Sequence, residues 1–117
     1  MTGRLTTHAL DTARGRPAAD LSVELFRIEG ETRRSLTSAS TNADGRTDAP
    51  LLEGDELESG TYEIFFGVGE YFAGTEDVAD PPFLDRVPIR FSVAEPSAHY
   101  HVPLLVSPWA YTTYRGS

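Results

Sequence analysis

The sequence predicts an all-β fold, a β-sandwich or small barrel of about seven or eight short strands. Three observations support it: polar and apolar residues alternate with a period of two in successive segments, helical periodicity is nearly absent, and turn-forming residues separate the segments. The chain has 117 residues, and a domain of that size buries roughly 65% of its unfolded surface. No repeat or linker divides it, so residues 1–117 are expected to form one domain.

The first half of the chain contains three predicted strands. Residues 5–10 alternate, and the run stops at the turn-rich segment 11–17. Leu21, Val23 and Leu25 form the apolar face of the second strand, which Glu29-Gly30 closes. Residues 33–41 form a more polar third strand, and Asn42-Ala-Asp-Gly45 ends it with a strong turn signal.

The second half predicts four more strands and a short helix. Residues 60–68 are the most apolar strand, and residues 87–93 alternate. Residues 99–106 and 111–115 are separated by four residues, which is a turn of hairpin length. Between these strands, residues 70–77 have the composition of one or two helical turns, which Asp80-Pro-Pro82 would stop.

The charge balance argues against several classes of partner. The net charge is −8, and all ten cations are arginine. Such a surface repels nucleic acid and anionic lipid. No apolar run approaches the ~20 residues of a membrane span, and the first residues lack the apolar region of a signal peptide. The chain has no cysteine, which fits a reducing compartment, so we expect a cytoplasmic protein.

The three histidines are the first candidates for chemistry. His99 and His101 are two residues apart on a predicted strand and therefore share a face, and His8 lies in the first strand. Three histidines can hold zinc with an open coordination site. Any strand with two histidines shows the same spacing, however, and polar histidines with ordinary hydrogen bonds are the more frequent case.

Other chemical motifs are few. The turn that begins at Asn42 ends in Arg46, which alone indicates only a solvated cation. There is no nucleophile elbow, phosphate-binding loop or cysteine nucleophile. Glu63 is the carboxylate closest to an apolar run, and we expect it on the outward face of its strand. The segment Tyr111–Ser117 is strand-like in composition rather than typical of a disordered end.

Four segments together resemble the transthyretin-like family, and specifically its enzymatic branch, the 5-hydroxyisourate hydrolases. They cover almost the whole chain and occur in the family's order. The terminal Tyr-Arg-Gly-Ser separates the hydrolases from the hormone-carrying transthyretins. The segments are Leu5-Thr-Thr-His-Ala-Leu-Asp-Thr-Ala-Arg-Gly-Arg-Pro-Ala18, Thr41-Asn-Ala-Asp-Gly-Arg46, Gly60-Thr-Tyr-Glu through Gly69-Glu-Tyr-Phe72, and His99 through Ser117.

The resemblance implies a two-sheet β-sandwich of about eight strands, with one short helix after the fifth strand. It also implies a homotetramer, a dimer of dimers, with active sites in a channel between dimers lined by the first strand and the last two. Ala110 and Thr112 replace glycine and serine, which are frequent in the family. The acidic loop 75–82 is longer than is usual there, and its role is left open.

The resemblance also implies an activity, the hydrolysis of 5-hydroxyisourate to 2-oxo-4-hydroxy-4-carboxy-5-ureidoimidazoline in urate degradation. It implies no cofactor and no metal. His99 matches no catalytic position, and the sequence leaves open whether His8 or His101 is the general base. The residues carried over are His8, Arg46, His101 and Ser117 as catalytic, and His8, Arg46, Tyr114, Arg115 and Gly116 as substrate-binding.

Three other functions remain possible from the sequence. A carrier of small hydrophobic ligands on the same fold would lack the histidine pair and the Tyr-Arg-Gly-Ser end. A zinc hydrolase would use the three histidines as ligands. A non-catalytic sandwich that interacts through its last strand would leave His8 and Arg46 unexplained.

Overall fold

A computed structural model describes residues 3–75 and 78–116, in which two β-sheets pack face to face. No helix in these ranges is long and apolar enough to cross a membrane. The elements in these ranges are β1 (Arg4–Asp11), β2 (Arg16–Pro17), β3 (Ser22–Glu29), β4 (Thr32–Ser40), β5 (Leu52–Glu53), a 3₁₀ turn (Gly54–Glu56), β6 (Gly60–Gly67), α1 (Val68–Phe72), β7 (Arg86–Val93), β8 (His99–Val106) and β9 (Tyr111–Thr113).

The predicted sandwich is confirmed, with small differences in its elements. β2 and β5 have two residues each and are too short to show any alternation in the sequence. Because β2 adds one strand to the expected order, α1 follows the sixth strand and not the fifth. The helix covers residues 68–72, earlier than the predicted 70–77. The last strand ends at Thr113, and Gly116 makes a separate bridge with His101.

The two sheets differ in how their strands pair. The first sheet has the order β2-β1-β8-β9, with β5 also paired to β1. Within it β1 and β8 run parallel, and Thr6 stands opposite His101. The second sheet, β4-β3-β6-β7, is antiparallel throughout. The parallel pair brings the first strand of the described chain beside its last long strand.

The apolar core lies between the sheets and fixes which side chains face outward. Along β1, Leu5, Thr7 and Ala9 are buried, and the residues between them are more exposed. β8 follows the same alternation, with Tyr100 and Val102 directed inward. One outward surface of the first sheet therefore carries side chains from both strands. We call it the histidine face; its residues are Arg4, Thr6, His8, His99 and His101.

A buried carboxylate fixes the end of β1. Asp11 is 1% exposed, and its Oδ1 accepts the backbone N–H groups of Ala13 and Arg14 at 3.0 Å each. Its Oδ2 accepts the hydroxyl of Tyr71 on α1 at 2.8 Å. Burial, followed by the hydrogen bond to Asp11, raises the pKa of Tyr71. This contact ties the helix to the first sheet.

Candidate active site

Arg46 reaches the histidine face because its turn docks on the edge of β1. β2 and β5 pair with the two ends of this edge, and between them His8 forms an antiparallel bridge with Arg46. The Ala9 N–H donates to the carbonyl of Gly45 at 2.8 Å. Gly45 has a φ of +78°, and a side chain there would collide with the Ala9 carbonyl. Only glycine adopts this φ without strain and leaves room for the Ala9 carbonyl.

The Asn42 side chain holds the turn together. Its Oδ1 accepts the N–H groups of Asp44 at 2.9 Å and Arg46 at 3.2 Å. Its Nδ2 donates to the carboxylate of Asp48 at 3.0 Å. The turn predicted from the sequence therefore exists, and these bonds fix the backbone from which the Arg46 side chain extends.

The same turn orients His8. Its Nε2 lies 2.8 Å from the carbonyl oxygen of Asp44. A carbonyl oxygen only accepts hydrogen bonds, so Nε2 carries the proton. In neutral His8 the lone pair is then on Nδ1.

His99 and His101 share one hydroxyl. The Oγ1 of Thr6 lies 2.7 Å from Nε2 of His99 and 2.8 Å from Nδ1 of His101. The ring centroids of the two histidines are 6.1 Å apart. Within the described ranges, no three side chains of histidine, cysteine, aspartate or glutamate converge on a point where a metal ion would be held.

A cavity of about 350 Å³ opens beside these groups. Both His101 and Arg46 line it, as do Arg4 and Asp48, so a base, cations and an anion surround one space. His8 is next to Arg46 but is not part of the lining. The remaining lining residues are Thr6, Thr7, Thr47, Ala49, Pro50 and His99.

The surroundings keep both cavity histidines neutral. Burial lowers the pKa of His101, and the positive charge of Arg46 lowers it further, followed by the neighbouring imidazoles of His99 and His8. Burial and the charge of Arg4 lower the pKa of His99. A neutral imidazole near pH 7 retains a lone pair that can take a proton.

The residues predicted from the C-terminal motif separate in the structure. Gly116 packs on His101: its N–H donates to the His101 carbonyl at 2.8 Å, and an added Cβ would lie 2.6 Å from Cδ2 of the ring. Tyr114 and Arg115 instead line a second cavity of about 350 Å³ beside Tyr100, where the Arg115 guanidinium lies 4.1 Å from the Tyr100 ring centroid. Ser117 is outside the described residues.

Sequence reasoning missed Thr6. The signal that could have identified it is parity: Thr6 shares the outward face of β1 with His8. The missing information was the register of the parallel pair, which sets Thr6 opposite His101. The predicted catalytic and binding roles of all the other site residues stay predictions.

Comparison with known proteins identifies the family. Residues 5–116 match the HIUase/Transthyretin family. The chain belongs to this family. A curated relative from Deinococcus radiodurans, named 5-hydroxyisourate hydrolase, is 60% identical over 113 residues, which cover 97% of this chain and 95% of the relative. The resemblance of the sequence to the enzymatic branch is thereby confirmed.

Two solved structures of the HIUase/Transthyretin fold extend the comparison. The Klebsiella pneumoniae 5-hydroxyisourate hydrolase has a TM-score of 0.81 at 35% identity, covering 98% of this chain and 99% of that one. An (S)-allantoin synthase has a TM-score of 0.93 at 46% identity. This second match covers 99% of the present chain but 44% of the synthase.

Proposed function

We propose that this chain hydrolyses 5-hydroxyisourate to 2-oxo-4-hydroxy-4-carboxy-5-ureidoimidazoline, a step of urate degradation. The observation that carries the proposal is the cavity in which His101 and Arg46 meet. It occurs in a chain that is 60% identical to a protein named 5-hydroxyisourate hydrolase. The reaction opens a ring by attack of water on a cyclic amide carbonyl, with cleavage of the C–N bond.

The attacking water needs a base. His101 lines the cavity and has a lowered pKa, so it is neutral at pH 7 and has a lone pair for a water proton. His8 is the alternative base, with its lone pair on Nδ1. The lining favours His101, because His101 lines the cavity and His8 does not.

The carbonyl oxygen gains negative charge as water adds. Arg46 is permanently cationic and presents a planar set of N–H donors in the same cavity, so we assign it to the developing oxyanion and to substrate oxygens. Among the described residues, no carboxylate forms an ion pair with Arg46. Its charge is therefore available to a ligand.

We assign Tyr114, Arg115 and Gly116 to substrate binding, and Ser117 to catalysis. Gly116 already contacts His101. Tyr114 precedes it by two residues and offers a ring for stacking, Arg115 offers a cation, and Ser117 is proposed to supply a hydroxyl. Tyr114 and Arg115 line the second cavity, so substituting either one tests its assignment separately from that of Gly116.

We further propose a cytoplasmic homotetramer, a dimer of dimers. The histidine face is only half-buried in one chain, and a second copy across it would close the cavity on its open side. Closure would exclude water other than the attacking molecule. The absence of cysteine supports a reducing compartment.

The test is spectroscopic. Urate oxidase generates 5-hydroxyisourate from urate, and the decay of its absorbance is followed with and without this chain. We expect catalytic amounts to accelerate decay well beyond the spontaneous rate. Decay at the spontaneous rate, with a folded protein, would refute the proposed function. Size-exclusion chromatography of the same sample tests the tetramer.

A further inference from the structure

The hydroxyl of Thr6 is placed to control the protonation pattern of two histidines. It contacts Nε2 of His99 at 2.7 Å and Nδ1 of His101 at 2.8 Å. A hydroxyl has one proton to donate and lone pairs to accept. When Thr6 donates to one imidazole nitrogen, the other nitrogen must donate to Thr6. The two neutral rings therefore adopt complementary tautomers.

The proposed role of His101 as a base is compatible with only one of the two hydrogen-bonding patterns. In one, His99 donates to Thr6 and Thr6 donates to Nδ1 of His101, which leaves the His101 proton on Nε2. In the other, Nδ1 of His101 donates to Thr6 and Thr6 donates to His99. Only the second pattern leaves the lone pair of His101 on Nε2, the ring nitrogen that Thr6 does not occupy. It also persists after Nε2 takes a proton, because Nδ1–H still donates.

We propose that Thr6, itself oriented by His99, is a positioning residue that holds His101 in the Nδ1–H tautomer with Nε2 as the base. The inference rests on the proposed hydrolysis for the role of His101 and adds the residues that prepare it. In the step itself, Nε2 removes one proton from water as the water oxygen bonds to the carbonyl carbon and the C=O π pair moves onto the carbonyl oxygen. When this oxyanion collapses, the ring C–N bond breaks and the leaving nitrogen takes the proton back from Nε2. The imidazolium keeps its Nδ1–H bond to Thr6.

The surrounding structure holds the His101 ring at this hydroxyl. Thr6 stands directly opposite His101 in the parallel pair, and its branched side chain has few rotamers. Gly116 packs against the ring at Cδ2. These contacts from β1 and from the C-terminal segment leave the ring little freedom to rotate away from Thr6.

The charged groups around the pair are cationic, apart from one carboxylate in the cavity lining. Arg46 acts on His101, and Arg4 acts on His99. Asp48 lines the cavity, but its carboxylate accepts a hydrogen bond from Asn42. Among the described side chains, only the neutral Thr6 hydroxyl is hydrogen-bonded to the His99 and His101 imidazoles. Tautomer control is therefore assigned to Thr6.

The kinetic test compares valine and serine at position 6. Thr6→Val keeps the shape and removes the hydroxyl, and we expect kcat to fall about tenfold or more, with KM within about twofold. Thr6→Ser keeps the hydroxyl and should retain kcat within about threefold. Thr61→Val is the matched control, because Thr61 is also a strand threonine with a side-chain bond, to Ser92, on the other sheet. Wild-type kcat in Thr6→Val, or equal losses in the valine and serine variants, would overturn the inference.

A second measurement is independent of activity. Nitrogen-15 NMR of the three histidines reports which ring nitrogen carries the proton. In the wild-type protein at neutral pH we expect His101 to be protonated on Nδ1, and in Thr6→Val a mixture of tautomers. A wild-type His101 protonated on Nε2 would overturn the inference even if Thr6→Val failed to fold. If the wild type shows the expected tautomer without hydrolysing 5-hydroxyisourate, the proposed function fails and the assignment of Thr6 as tautomer control stands.

Discussion

The outward faces of the two sheets use polar residues in opposite ways. On the second sheet Glu63 accepts from Arg33 at 2.8 Å and Arg90 at 3.2 Å, and Glu24 accepts from Arg86 at 2.8 Å. We call this surface the arginine face, defined by these five residues. Its cations are paired with carboxylates, and Glu63 is 5% exposed because the two arginines cover it. The expectation that Glu63 points outward is met, but its burial was not foreseen.

On the histidine face the polar groups have neutral partners. His99 and His101 contact a hydroxyl, and His8 donates to a backbone carbonyl. No carboxylate among the described residues forms an ion pair with Arg46. Charges that neutralise each other contribute to stability, whereas an unpaired cation and neutral bases around a cavity remain available to a ligand. The comparison teaches that pairing, more than composition, separates a supporting surface from a reactive one.

The largest expected effect comes from residues 114–117, the segment that follows β9 and contacts the histidine face through Gly116. Deleting residues 114–117 should abolish turnover, because Gly116 contacts His101. The effect on the fold should be modest, because Tyr114 is exposed and adds little to the core. Turnover of 5-hydroxyisourate and size-exclusion chromatography are measured together. A truncated protein that remains assembled and fully active would contradict the role of this segment.

Substituting the proposed base comes next. His101→Asn should lower kcat by about a hundredfold or more, within the usual range for loss of a general base. His99→Asn should cost much less, since it acts through Thr6. Steady-state kinetics on both folded variants measure the difference, and equal losses would show that the roles within the pair are assigned wrongly.

The pH dependence of activity should reveal the same histidine. Because the pKa of His101 is lowered, the base stays neutral below the ordinary histidine value of about 6.5. Activity should therefore persist below that pH and fall on further acidification. The same group destabilises the fold in acid, because the unfolded chain binds its proton first as pH falls. An acid limb of kcat/KM centred above about 6.5 would contradict this assignment.

Replacing Arg46 isolates one cause of that shift. Arg46→Gln removes a positive charge near His101, so the pKa of His101 should rise. An NMR titration of the histidine ring measures it directly and needs no activity. Arg34→Gln is the control, because the Arg34 side chain pairs with Glu29 at 3.4 Å, away from the histidine face. A titration unchanged by Arg46→Gln would contradict the electrostatic coupling.

The arginine face should show smaller effects, on stability alone. Glu63→Gln removes the charge shared by Arg33 and Arg90, and we expect a loss of about 1–2 kcal/mol in the free energy of unfolding. Arg33→Gln leaves Glu63 paired with Arg90 and should cost below about 1 kcal/mol. Denaturant titration measures both, and kcat should stay within about twofold of the wild type. A large loss of activity in Glu63→Gln would end the distinction between the two faces.

Local sequence patterns predicted most of the fold. Alternation identified the long strands, since the period of two follows from burial of one face of each strand. The Asn42 turn was equally visible, because its asparagine and glycine are required by the turn itself. The two-residue strands β2 and β5 could not be predicted from the sequence, because they are defined only by their pairing with β1.

The candidate site was less predictable, since it depends on contacts between distant residues. Parity placed His99 and His101 on one face, but the contact with Thr6 requires the register of two strands 95 residues apart. The burial of Glu63 has the same origin, because Arg33 and Arg90 come from other strands. Resemblance to the family supplied His8, Arg46 and His101, whereas their partners came from the structure.

The parallel pairing of β1 with β8 has a consequence for biosynthesis. β3, β4, β6 and β7 lie between these strands in the chain and pair antiparallel with near neighbours, so the second sheet has its strands before β8 is made. β1 can pair early with the short strands β2 and β5, but its long partner β8 comes about 95 residues later, and contacts of such separation form slowly. Closure of the first sheet therefore both completes the domain and creates the cavity. In a nascent chain the cavity lined by His101 and Arg46 can therefore exist only after β8 has been made and has paired with β1.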